Sequence, residues 1–134
     1  MIGQSQQAVT QVMGQPGRAQ DSYVDYMRGP YGVHTYRLYF DRQNRLLRWD
    51  QLLTDERFLK IREDMTQSQV IDLIGVSTVI SSLGRGRGEV WSYRYENPLC
   101  QWFQIEWSSS GILRSTGYGV PPECNNSDDD RDAQ

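Results

Sequence analysis

His34 is the only histidine of the 134-residue chain, and an imidazole is the side chain best suited to titrate near neutrality as a base or to bind a metal. It sits in the run VHTYRLYFD, on the same side of an alternating pattern as Tyr36 and Leu38. That placement reads as a half-buried structural histidine. No second histidine, Cys-x-x-Cys or carboxylate cluster accompanies it, so no zinc site is expected. No Gly-x-Ser-x-Gly elbow offers it a nucleophile. The run GRGRG at 84–88 invites a phosphate-loop reading, but a Walker loop continues into Lys-Ser/Thr and a helix, and here an aromatic strand pattern follows. It reads as a connector whose Arg85 and Arg87 could touch an acidic partner or a lipid headgroup. Cys100 and Cys124 are the only two cysteines, open at this point to pairing or to life as two thiols. Nothing here composes a catalytic constellation, and no cofactor is expected.

The elements that would position these residues occur twice. GQSQQAVTQVMG, ending at Gly14, and DMTQSQVIDLIG, ending at Gly75, are related by an offset of 75 − 14 = 61. Each opens on a hydroxyl residue, Ser5 or Thr66. Each then spaces apolar residues for one helical face (Val9, Val12, Met13 and Val70, Leu73, Ile74) and closes on a glycine suited to a C-terminal cap. Thr66 and Gln69 also fit a capping box.

Beyond the helices the offset becomes 93 − 26 = 67. It carries Tyr26 onto Tyr93, Tyr36 onto Phe103, Leu38 onto Ile105, Phe40 onto Trp107 and Leu46 onto Leu113. The six additional residues of the second copy fall in or near LGRGRGE, a run of turn formers. Alternation over 34–41 predicts a half-buried strand, DRQNR predicts a hairpin turn near Asn44, and SSSG at 108–111 is its counterpart. The fold class is therefore α+β, with two tandem α-β-β-β repeats over 1–60 and 61–124. LTDERFLKIRE forms a helical linker near 54–60, and 125–134 is a disordered acidic tail. One helix on three strands buries little by itself, so the halves are expected to share a core or join sheets.

Composition narrows the function classes. Hydrophobic residues make up 37% of the chain and the mean hydropathy is −0.68, with no apolar run near the roughly 20 residues of a membrane helix. No signal-peptide pattern follows Met1. A net charge of −3 with interspersed signs leaves no nucleic-acid footprint. Four Trp, eight Tyr and three Phe are many for a chain of this size, so some are candidates for a binding face.

The sequence of a Thr-Gln-x-x-Val-x-x-Leu-Ile-Gly helix, an aromatic strand, and an alternating strand ending in Phe-Asp-x-x-Asn resembles the SmpA/OmlA domain, the BamE-like domain of bacterial outer-membrane lipoproteins. With LTDERF as a joint, and VWSYRYENPLCQWF and GYGVPPEC near the end, the chain resembles tandem versions of that domain. The resemblance implies the fold of β-lactamase inhibitory protein, with helices on one face of an antiparallel sheet. It implies a periplasmic location in which the full-length precursor is held at the outer membrane by a lipid anchor this chain does not carry. The implied partners are envelope proteins such as barrel-assembly subunits. In such a compartment an even cysteine count in a small domain points to a Cys100–Cys124 disulfide.

Tyr39, Trp91, Tyr93, Tyr95 and Trp102, with Arg85 and Arg87, are the candidate partner-binding residues. Trp91, Tyr93 and Tyr95 share a strand face, and Trp102 points away from the face of Phe103. Large rigid side chains bury much area at little entropic cost. The expected function is that of a non-enzymatic protein-binding module in outer-membrane assembly or integrity. The alternative is an inhibitor that docks its aromatic sheet face on an enzyme such as a β-lactamase.

Overall fold

Ser5 starts the first helix, α1 (Gln6–Met13), by accepting the Ala8 N–H on its hydroxyl at 3.2 Å. In the computed structural model, which describes residues 2–124, the same device recurs at Thr66 ahead of a later helix, Gln67–Ile74. There the expected capping box forms: Thr66 Oγ1 accepts from the Gln69 N–H, and Gln69 Oε1 accepts from the Thr66 N–H. Both helices end on a glycine with φ near +85° and ψ near 180°, a region essentially reserved for residues without a Cβ. Each of these glycines donates its N–H back to the helix, Gly14 to Thr10 and Gly75 to Ile71.

The chain divides into two units, Met1–Leu52 and Leu53–Gln134. In the first, α1 is followed by β1 (Arg18–Ala19), β2 (Tyr23–Arg28), a 3₁₀ turn (Pro30–Gly32), β3 (His34–Phe40) and β4 (Leu46–Gln51). In the second come α2 (Asp55–Phe58), α3 (Gln67–Ile74), β5 (Val79–Ser82), β6 (Glu89–Arg94), β7 (Trp102–Trp107) and β8 (Leu113–Gly119). Each unit has its own antiparallel sheet, ordered β1-β2-β3-β4 and β5-β6-β7-β8.

The offset read from the sequence holds pair by pair. Tyr26 lies opposite Tyr36 as Tyr93 lies opposite Phe103, Leu38 opposite Trp49 as Ile105 opposite Thr116, and Phe40 opposite Leu46 as Trp107 opposite Leu113. The irregularity in pairing also recurs, at Tyr39/Phe40 and at Glu106/Trp107. The turns match as well: the Asp41 and Ser108 N–H groups donate to the Arg45 and Ile112 carbonyls, around a positive φ at Asn44 and Gly111.

Three expectations change. Each sheet has four strands rather than three, because β1 and β5 pair at the outer edge of β2 and β6. An edge strand needs no alternating apolar pattern, and Arg18–Ala19 and Val79–Ser82 have almost none. The halves do not join sheets, and the buried apolar residues form two clusters, one per unit. A sheet of three or more strands with a helix packed on its apolar face can bury a core of its own. The segment 54–60 is not a free linker of the first half. It starts at the expected Thr54 cap, but Phe58 is buried in the second unit's core, stacked on Phe103 at 4.4 Å and 6°. The segment 125–134, expected to be disordered, lies outside the described residues.

Candidate functional site

The aromatic residues singled out from the sequence do share a strand face, but it is the covered one. Pairing of Trp91 with Ile105 and of Tyr93 with Phe103 puts Trp91, Tyr93 and Tyr95 on the helix side of their sheet, where each is at most 6% exposed. Trp91 packs on Trp107 at 4.8 Å and its indole N–H donates to Glu89 at 2.7 Å. The Tyr93 hydroxyl donates to the Gly75 carbonyl at 2.8 Å, and burial raises its pKa. These three residues are core rather than a docking face, because strand periodicity assigns residues to a common face without saying which face is covered.

Trp102 does point to the other face. It is largely buried there, with the Arg94 guanidinium 4.9 Å from its ring. Arg94 in turn makes two parallel bonds to Glu123, 2.8 and 2.9 Å, and this hydrogen bonding holds the Glu123 carboxyl below its ordinary pKa. Tyr39 is half-buried, with the Arg48 guanidinium 3.8 Å from its ring centroid. Arg85 and Arg87 are exposed. The turn they occupy is closed rather than open: Leu83 N–H donates to Gly88, Arg87 N–H donates to Gly84, and the Arg87 guanidinium donates to the Leu83 carbonyl. His34 stacks on Tyr36 at 5.7 Å.

Cys100 and Cys124 form a disulfide, with Cα atoms 6.4 Å apart. Cys100 lies in the turn before β7. Asn97 organises that turn by donating to the Tyr95 and Gln101 carbonyls and accepting the Leu99 and Gln101 N–H groups. Cys124 lies just beyond β8, next to Glu123. The disulfide and the Arg94–Glu123 pair thus tie the same segment to the sheet.

Two polar clusters lie outside the sequence reading. Asp25 and Arg37, on facing positions of β2 and β3, form a buried bidentate pair at 2.8 and 2.9 Å, with the Arg37 guanidinium 4.0 Å from the Tyr23 ring centroid. Burial pulls the Arg37 pKa down, but the bond to Asp25 and its charge outweigh it and the net shift is upward. The same positions in the second unit hold Ser92 and Gln104, joined by a neutral 3.0 Å hydrogen bond. The second cluster is centred on Asp55, whose Oδ1 accepts from Tyr95 (2.9 Å) and Tyr118 (3.2 Å). Burial first, then the Asp55 charge, pushes the Tyr118 pKa up to about 12. Among the described residues, no group of three or more His, Cys, Asp or Glu could hold a metal ion, and no helix is long and apolar enough to cross a membrane.

The feature best suited to binding is a groove of about 460 Å³ in the first unit, lined by Met13, Tyr36, Leu38, Leu46 and Trp49. Every lining residue is apolar or aromatic. Trp49 meets Tyr36 edge-on at 5.7 Å and is 55% exposed, as is its neighbour Leu47. The corresponding positions of the second unit are Ile74, Phe103, Ile105, Leu113 and Thr116, and there Phe58 of α2 lies on Phe103. The signal for the groove was present in the sequence as Trp49 standing where the second copy has Thr116. Without the packing of Phe58 that contrast had no meaning.

No protein-family model matches the chain, and no curated protein does. Among solved structures it is similar to a DUF4309 family protein (YjgB) from Bacillus subtilis subsp. subtilis str. 168, at 9% identity and a TM-score of 0.35, over 87% of this chain and 78% of that one. A likeness at that level carries no argument about either fold or function.

Proposed function

We propose that the protein is a non-enzymatic protein-binding module of the bacterial envelope, a tandem BamE-like lipoprotein domain that supports outer-membrane assembly or integrity. The observation that carries the binding role is the apolar groove of the first unit, lined by Met13, Tyr36, Leu38, Leu46 and Trp49. An exposed tryptophan beside an apolar groove is a common anchor of protein interfaces. The disulfide supports an oxidising compartment such as the periplasm. The envelope assignment and the barrel-assembly subunits as partners rest on the sequence resemblance. The inhibitor alternative would dock through an aromatic sheet face, and Trp91, Tyr93 and Tyr95 are withdrawn from such a face into the core, so the groove favours the first reading.

The test is site-specific photo-crosslinking from exposed position 47, two residues along β4 from the groove-lining Trp49, in intact cells, with captured proteins identified by mass spectrometry. Envelope proteins should be recovered, barrel-assembly subunits among them. Recovery of cytosolic proteins alone would reject the proposal.

A further inference from the structure

Trp102 is only 9% exposed, although it lies on the face of its sheet that the core does not use. Its neighbours on that face cover it. The Arg94 guanidinium lies 4.9 Å from the ring, and the indole nitrogen lies so close to Gly119 that a Cβ there would come within 3.3 Å of it. Arg94 is held in turn by Glu123, at 2.8 and 2.9 Å. Glu123 stands in a turn closed by the bond from the Cys124 N–H to the Pro121 carbonyl, and Cys124 is joined to Cys100. Cys100 lies two residues ahead of Trp102. The contacts therefore close a ring that runs from Trp102 through Arg94, Glu123 and the disulfide back to Trp102.

The disulfide is not what folds the unit. Cys100 is exposed and Cys124 half-buried, and neither belongs to the apolar core cluster. The first unit has Val33 in the place of Cys100, yet β2 and β3 pair in the same register as β6 and β7. The turn that carries Cys100 is set by the four bonds of Asn97. What the disulfide fixes is the segment 120–124. Without it, the carboxylate of that segment would be tethered by a partly exposed ion pair, which is a weak hold by itself.

We infer that the Cys100–Cys124 disulfide is a reducible clasp: it keeps Glu123 on Arg94 and Arg94 over Trp102, and its reduction releases the segment 120–124 and uncovers the arginine–tryptophan pair while the unit stays folded. The reductant is a dithiol, the class carried by thiol–disulfide exchange proteins. One of its thiolates attacks the exposed Sγ of Cys100, forming a mixed disulfide and expelling the Cys124 thiolate, which takes up a proton. The second thiolate attacks the reductant's own sulfur in that bond and releases Cys100, which is protonated likewise. The dithiol loses two electrons and two protons, and the protein gains them as two thiols. Trp and Arg are frequent interface anchors, so reduction changes what this face offers a partner. The clasp uses no residue of the first unit.

The test is reduction of the full oxidised chain by dithiothreitol without denaturant, with the indole N–H signals of the four tryptophans and the arginine Nε–H signals followed by NMR. Reduction should shift the Trp102 and Arg94 signals and leave those of Trp91 and Trp107, both in the core, in place. Reoxidation should reverse the shifts. A variant combining Cys100→Ser with Cys124→Ser should show the reduced positions with no reductant present. Glu123→Gln, with the disulfide intact, tests the route. Reduction should shift the Arg94 signal less in that variant than in the native chain, because the carboxylate is already gone. A bond that served only as a staple would not show this dependence.

Collapse of the Trp91 and Trp107 signals on reduction would make the disulfide a staple of the fold and overturn the inference. Unchanged Trp102 and Arg94 signals in the reduced chain would overturn it, as would an equal Arg94 shift in the Glu123→Gln variant. So would a disulfide that dithiothreitol cleaves only after urea has unfolded the chain.

Discussion

The hydroxyl of Tyr93 donates to the carbonyl of Gly75, the residue that ends α3, at 2.8 Å. The same bond is present in the first unit, from Tyr26 to Gly14 at 2.9 Å. It joins the central part of a strand to the point where the chain leaves the helix, and it satisfies a carbonyl that the helix itself cannot.

Removing either hydroxyl should therefore loosen the helix from its sheet. Tyr93→Phe is expected to lose about 1–2 kcal/mol, since the buried Gly75 carbonyl is left without its donor, and Tyr26→Phe less, because Gly14 is exposed and water can replace the lost hydroxyl. Urea unfolding followed by circular dichroism measures this. Wild-type stability in both variants would mean that the carbonyls are satisfied otherwise.

The Asp25–Arg37 pair is buried, so removing one member leaves an uncompensated charge. Asp25→Ser alone should cost about 3–5 kcal/mol. Adding Arg37→Gln reproduces the Ser92–Gln104 pair of the second unit, and the double variant should be more stable than the single one. A double-mutant cycle in denaturant reads the coupling directly. Additive losses would show that the two side chains act independently.

Tyr118 supplies a prediction in alkali. Its folded pKa is raised to about 12, above the ordinary 10, so the folded state holds the proton more tightly than the unfolded one. The stability linked to this group is complete below pH 10 and is lost as the pH rises from about 10 through about 12. Asp55→Asn should lower the Tyr118 pKa, measurable as phenolate absorbance, though not to its ordinary value, because burial is the larger cause. An unchanged titration would mean the Asp55 charge is not felt.

The disulfide closes a loop with a sequence separation of 24, for which the chain-entropy relation gives roughly 3 kcal/mol. Cys100→Ser combined with Cys124→Ser should lower the melting temperature by several degrees. Intact mass with and without reduction and alkylation checks the bond itself: two alkylatable thiols in the oxidised protein would show that it does not form.

The parts of the molecule legible in advance are those set by neighbours in sequence. Ser5 and Thr66 as caps, Gly14 and Gly75 as stops, and Asn44 and Gly111 as turn residues each depend on local backbone conformation, which residue type constrains directly. The duplication was legible because equivalent strands keep an ungapped offset. The candidate site was barely legible. Of the aromatics singled out, Trp91, Tyr93 and Tyr95 proved to be core, while Trp49, which borders the groove, was passed over.

The sequence alone thus determined the repeating unit, its helix ends and its hairpins. Tertiary structure alone decided which face of each sheet is covered, that Arg18–Ala19 and Val79–Ser82 become edge strands, that α2 packs in the second unit, and that the first unit keeps an open groove. The physical reason is that a strand rich in aromatics on both sides has a period but no preferred direction. Burial follows from which element arrives to cover it, as Phe58 does in the second unit.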